Sequence, residues 1–94
     1  MVDHLVFLAV REDASPEDVE DLISSIRRLD TVPSVVDLSV GENFSERSGG
    51  YTHGIFVRVE SVEDLQEYLK HPDHLAVAEK LDALTTRIVV DYEF

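Results

Sequence analysis

Four histidines occur in this chain of 94 residues, at positions 4, 53, 71 and 74. His4 and His53 sit in alternating apolar runs beside Val6 and Ile55, and His74 shares a helical stripe with Val77, Ala78 and Leu81. All three are therefore expected to face inward. Tyr68 precedes His74, with Pro72 bending the chain between them. An imidazole in an apolar cavity with a hydrogen-bond partner titrates near neutral pH, as a general base must. A nearby phenol can donate to the oxyanion that such a base creates. The same residues have a plainer reading, because a lone inward histidine is ordinarily a core residue satisfied by backbone or a hydroxyl. Several of them converging on one apolar cavity with a tyrosine would instead form a site for a small hydrophobic ligand. His71, directly before a proline at a helix end, reads as a C-terminal cap that suits the helix dipole.

A transition metal is not expected on these histidines. Pro72 interrupts any continuous helix between His71 and His74, and the chain has no cysteine and no carboxylate at familiar ligand spacing. The lack of cysteine also removes disulfides and thiolate chemistry. Eight basic residues stand against 20 acidic ones, a net charge of −12. Such a surface repels phosphate backbones, so no nucleic-acid partner is expected. The acids are spread over helix faces, where they keep the surface solvated. No stretch is long and apolar enough to span a membrane. The opening residues carry Asp3 and no basic segment, so no signal peptide and a cytoplasmic location are expected.

The elements that must position these side chains follow from periodicity. Residues 3–11 alternate as a strand, with His4, Val6, Leu8 and Val10 on one side and Leu5, Phe7 and Ala9 on the other. Ser15, Pro16 and the acids Glu17 and Asp18 open a helix that ends near Asp30, before Pro33. Residues 35–41 form a second strand and 51–60 a third, with His53, Ile55, Val57 and Val59 on one face. Between them, residues 42–50 form a connection with Phe44 as an anchor packing it down and Gly49-Gly50 as a possible hinge. Ser61 caps a second helix, Pro72 interrupts it, and a third helix runs to about Leu84. Residues 87–94 form the last strand, and Asp91 is expected where the sheet meets solvent.

The order β-α-β-β-α-α-β is the ferredoxin-like arrangement: one α+β domain over residues 1–94, an antiparallel sheet with helices on one face. Helices can cover only one side of that sheet. The opposite apolar face, bearing Leu5, Phe7 and Phe56, needs another cover, and a second copy of the same sheet supplies it. A homodimeric α+β barrel is therefore expected.

Five segments resemble the signatures of the stress-responsive A/B barrel domain family. They are His4-Leu5-Val6, Val40-Gly41-Glu42-Asn43-Phe44-Ser45, Gly50-Tyr51-Thr52-His53-Gly54, the run from Tyr68 to His74, and Val89-Val90-Asp91-Tyr92. The resemblance covers nearly the whole chain. It implies a dimeric α+β barrel and one of two functions: a cofactor-free polyketide cyclase or a non-catalytic stress-response or structural protein. For the cyclase, it implies His74 as base and Tyr68 as its hydrogen-bonding partner, with His4, His53, Ile55, His71 and Val77 as substrate-binding residues. The family's cyclase carries aromatic side chains where this chain has Ser39, Val40, Val77 and Thr85. The resemblance also implies a magnesium ion held by the backbone carbonyls of Leu29, Val32 and Val35, and no other cofactor.

Overall fold

A computed structural model describes residues 1–94. The elements run β1 (Val2–Val10), α1 (Pro16–Arg27), β2 (Asp37–Glu42), β3 (His53–Val59), α2 (Val62–Lys70), α3 (Pro72–Leu84) and β4 (Thr85–Glu93), with a 3₁₀ turn at Arg28–Thr31. This is the ferredoxin-like α+β arrangement. All strand pairs are antiparallel and the sheet order is β2-β3-β1-β4. The first strand therefore lies inside the sheet, and its alternation decides what each face carries.

On the helix side, Val2, Val6 and Leu8 of β1 pack with Ile55, Val57 and Val59 of β3 under Leu22, Ile26, Leu65 and Leu81. On the other side no helix packs. Phe7 is 42% exposed, and β4 leaves Ile88 and Val90 similarly open. Asp3, also on that face, is buried and takes a bidentate pair from Arg58 at 2.7 and 2.9 Å, plus the Tyr92 hydroxyl at 3.2 Å. The Arg58 guanidinium holds the Asp3 carboxyl below the usual carboxylate range. No helix is long and apolar enough to cross a membrane.

The helix starts follow the sequence signals. The Asp18 N–H donates to Ser15 Oγ and the Asp64 N–H to Ser61 Oγ, both at 3.1 Å, satisfying donors that each first turn leaves free. Phe44 departs from expectation, because it is 99% exposed and anchors nothing. The connection it sits in is held by polar bonds instead. Asn43 Nδ2 donates to the Tyr51 carbonyl at 2.9 Å, and the Ser45 N–H donates to Asn43 Oδ1 at 2.9 Å. Gly49 and Gly50 then turn the chain back at φ of 62° and 89°, a region side chains disfavour.

Candidate functional site

Helix α2 ends at Lys70 because His71 precedes Pro72 and takes extended backbone (φ −61°, ψ 137°). That ending leaves the last carbonyls of α2 without intrahelical donors. His74, in the first turn of α3, answers one of them: its Nδ1 lies 3.0 Å from the Leu69 carbonyl oxygen. A carbonyl only accepts, so Nδ1 carries the hydrogen and Nε2 of the neutral ring keeps a free lone pair. Burial pushes the His74 pKa down from its usual value. The bond to Leu69 opposes that shift, while His4 and Arg87 nearby add to it. The ring is thus a neutral acceptor at pH 7.

Tyr68 is 2% exposed and packs its ring against His74, with centroids 4.7 Å apart and the planes tilted by 58°. His4 also meets Tyr68 edge-on, with ring centroids 6.0 Å apart. Burial raises the phenol pKa to about 12, so the hydroxyl stays protonated. The bend at Pro72 thus brings ring against ring, with no hydroxyl–imidazole hydrogen bond. Ser34 Oγ is the one fully buried side-chain polar atom without a partner, so the unbonded Tyr68 hydroxyl reaches accessible space.

His4 lies opposite Asp91 in the β1–β4 register and is itself 4% exposed. Its Nδ1 makes a close hydrogen bond to Asp91 Oδ1. Asp91 is therefore a site residue that the sequence reading placed only at the sheet–solvent boundary. The period of two along β4 was the available signal, since it puts Arg87, Val89 and Asp91 on one face. A cavity of about 200 Å³ lies between the α2–α3 corner and these strands. Its walls are apolar at Val6, Leu69, Leu81 and Val89, and its polar groups are His4, His74, Arg87 and Asp91. The Tyr68 ring stands behind this lining.

Other expected members lie elsewhere. His53 pairs with Leu8, whereas His4 pairs with Val57, so the two histidines sit toward opposite ends of β1. The His53 Nδ1 is 2.9 Å from Thr52 Oγ1, and the residue borders clefts with Gly41 and Glu42. Of the histidines expected to converge, His4 and His74 line this cavity. His71 caps the start of α3 rather than the end of α2 with its side chain: Nδ1 accepts from the Asp73 N–H at 3.1 Å. The extended backbone that Pro72 imposes is the N-cap conformation, which explains the reversal. Ile55 is core, 7% exposed. Val77 borders a cleft with Ser25 and Leu29 of the α1 side, not the His74 cavity. Three residues advance a helix by about 300°, enough to move a side chain to another flank.

The carbonyls of Leu29 and Val32 already accept from the Val32 and Val35 N–H groups at 3.1 and 2.9 Å. With Val35 they would give a hard cation only neutral oxygens, where about six or more ligands are usual. Nowhere do three or more His, Cys, Asp or Glu side chains cluster as a metal-binding group.

The stress responsive A/B barrel domain model matches residues 2–94. Olivetolic acid cyclase of Cannabis sativa is 25% identical over 95 residues, covering 97% of this chain and 94% of that protein. The stress-response A/B barrel domain-containing protein HS1 of Arabidopsis thaliana is 31% identical over 100 residues, covering 98% and 88%. A dimeric ferredoxin-like protein of unknown function from Thermobifida fusca superposes with a TM-score of 0.87 at 19% identity, over 99% of this chain and 90% of that one. That likeness speaks for the fold.

The lowered His74 pKa has a thermodynamic consequence. A histidine kept neutral by the fold contributes stability that is fully present above its unfolded pKa, about 6.5, and is lost as pH falls through its lower folded value. In urea melts, the stability advantage of the native chain over His74→Gln should be largest at pH 7.5 and shrink toward pH 5. An advantage that grows on acidification would mean a raised pKa and a charged ring.

Proposed function

The chain belongs to the stress responsive A/B barrel domain family, and we propose that within it this chain acts as a cofactor-free general-base enzyme on a carbon acid of the poly-β-keto type. The observation that carries this reading is the His74 ring, tethered through Nδ1 to Leu69 with Nε2 free beside a cavity of mixed apolar and polar lining. In the proposed reaction Nε2 takes a proton from the carbon between two carbonyl groups. The resulting enolate carbon attacks a second carbonyl carbon of the same molecule, forming a C–C bond. The new alkoxide then takes the proton back from the imidazolium, so the step is balanced without a cofactor. Tyr68 donates a hydrogen bond to the enolate oxygen, a role its protonated, unbonded hydroxyl supports. Holding both ends of one chain in a confined space supplies the proximity term.

The name of the Cannabis relative, a cyclase, supports this chemistry. At about 200 Å³ the cavity falls below the roughly 300 Å³ of common ligand pockets. Only the reacting segment of a long substrate would enter it. That small volume also favours a second reading, a barrel protein of the stress-response kind that turns nothing over.

We also propose that two copies pair through the uncovered sheet face. Leu5, Phe7 and Phe56 share that face with Ile88, Val90 and Tyr92, which are 42–49% exposed. A full apolar sheet face exceeds the few hundred Å² that monomers commonly expose. The Thermobifida neighbour is described as dimeric.

The catalytic reading requires His74→Ala to abolish cyclisation of a linear β-polyketide substrate while the chain still folds, at a melting temperature lowered by loss of the Leu69 bond. Tyr68→Phe should slow it by roughly 10²–10⁴-fold. Loss of stability in both variants, with no turnover in the native chain, would support the non-catalytic reading. For assembly, sedimentation should give twice the 10.6 kDa chain mass, and Phe56→Asp should shift it to the single chain; a native monomer at micromolar concentration would refute the pairing.

A further inference from the structure

The cavity beside His74 has a polarity that the proposed aldol chemistry does not require. Arg87, Val89 and Asp91 alternate along one face of β4, opposite Leu8, Val6 and His4. Four residues of strand separate the two charged ones by about 13 Å between Cα atoms. One end of the lining is thus a guanidinium and the other a histidine–carboxylate pair, with Val6 and Val89 between them.

Arg87 is poorly satisfied by the chain itself. Its one hydrogen bond runs from Nη1 to Asp82 Oδ1 at 2.8 Å, and the Asp82 side chain is 70% exposed. A guanidinium has five N–H donors in a planar fork that matches a carboxylate. An exposed ion pair is weak and exchanges readily for a better-placed acceptor. Arg87 is also one of only eight basic residues in a chain of net charge −12. The protein's overall field repels anions, so a cation kept in this lining is a local feature.

We propose that Arg87 selects the substrate: the cavity takes a segment that ends in a carboxylate, which pairs with Arg87, and whose oxygen function lies toward His4 and Asp91. The proposal rests on the reading of this cavity as a substrate site. It adds to that reading the class of molecule, an oxo- or hydroxy-carboxylate. Arg87 acts here as a specificity-determining contact and takes no part in proton transfer.

The test compares 4-oxopentanoate with its methyl ester, two stable probes that differ in charge and little else, by NMR titration of the full chain at pH 7.5. The acid should bind at least about tenfold more tightly than the ester, the factor a charged hydrogen bond supplies. Arg87→Gln should erase that preference, and Arg27→Gln, on α1 away from this lining, should keep it. Asp82→Asn, which removes the competing acceptor outside the cavity, should tighten the acid and leave the ester unchanged. Equal binding of acid and ester by the native chain, or an acid preference that survives Arg87→Gln, would overturn the anion assignment while leaving the cavity a ligand site. If neither probe perturbs the cavity residues at millimolar concentration, the assignment and the substrate-site reading fall together.

Discussion

A helix cannot end without leaving carbonyls unpaired, and at the α2–α3 corner one of them is answered by an imidazole. Pro72 ends α2, and its steric demand extends His71. His71 then caps α3, and the first turn of α3 delivers His74 Nδ1 to the Leu69 oxygen. One hydrogen bond thereby closes the corner, fixes the ring's tautomer and leaves Nε2 free. The proposed chemistry depends on that bond, because an imidazole hydrogen-bonded through Nε2 instead would carry its free lone pair on Nδ1. Tyr68, one residue before Leu69, is carried to the same corner and buried against the ring.

The second constraint is the register of β1. It is flanked by β3 and β4, so each of its side chains is committed to a face. His4 faces the helices and bonds Asp91, while Asp3 and Leu5 beside it face the other way. A slip of one residue would exchange the two sets and put the histidine outside the cavity. The outer face carries its own polar fastening, since Arg58 is both paired with Asp3 and set over the rings of Phe56 and Phe94 at 5.3 and 5.1 Å. That fastening lies on the face we assign to the second copy, whereas Arg87 and Asp91 lie on the helix side, where β4 leaves the cavity open. The proposed pairing face and the proposed ligand cavity thus lie on opposite faces of one sheet.

Much of this was legible in the residues because it is written in short-range terms. Alternation located β1 and β3, and serine caps and Pro72 located the helix starts. The inward stripe of α3 correctly buried Val77 and Leu81. What failed depends on distance in space. Period-two patterning placed His4 and His53 on one side of the sheet, but only the β1–β3 register shows that they lie toward opposite ends of it. Asp91 does sit at the solvent boundary, its side chain 38% exposed, but only pairing shows that it also meets His4. Hydrophobicity alone made Phe44 an anchor, yet the asparagine and serine bonds of its loop leave it nothing to hold. Val77 and His74 share a helical stripe, but α3 presents that stripe to α1 on one flank and to β4 on the other.

His74 is held neutral with its proton on Nδ1, the state that the proposed base role needs. Long-range ¹H–¹⁵N correlation spectra of the imidazoles read that tautomer directly. At pH 7.5 the account predicts a protonated Nδ1 and an unprotonated Nε2 for His74, moving to the doubly protonated ring only below the ordinary histidine midpoint of about 6.5. A His74 ring protonated on Nε2, or already charged at pH 7.5, would contradict it.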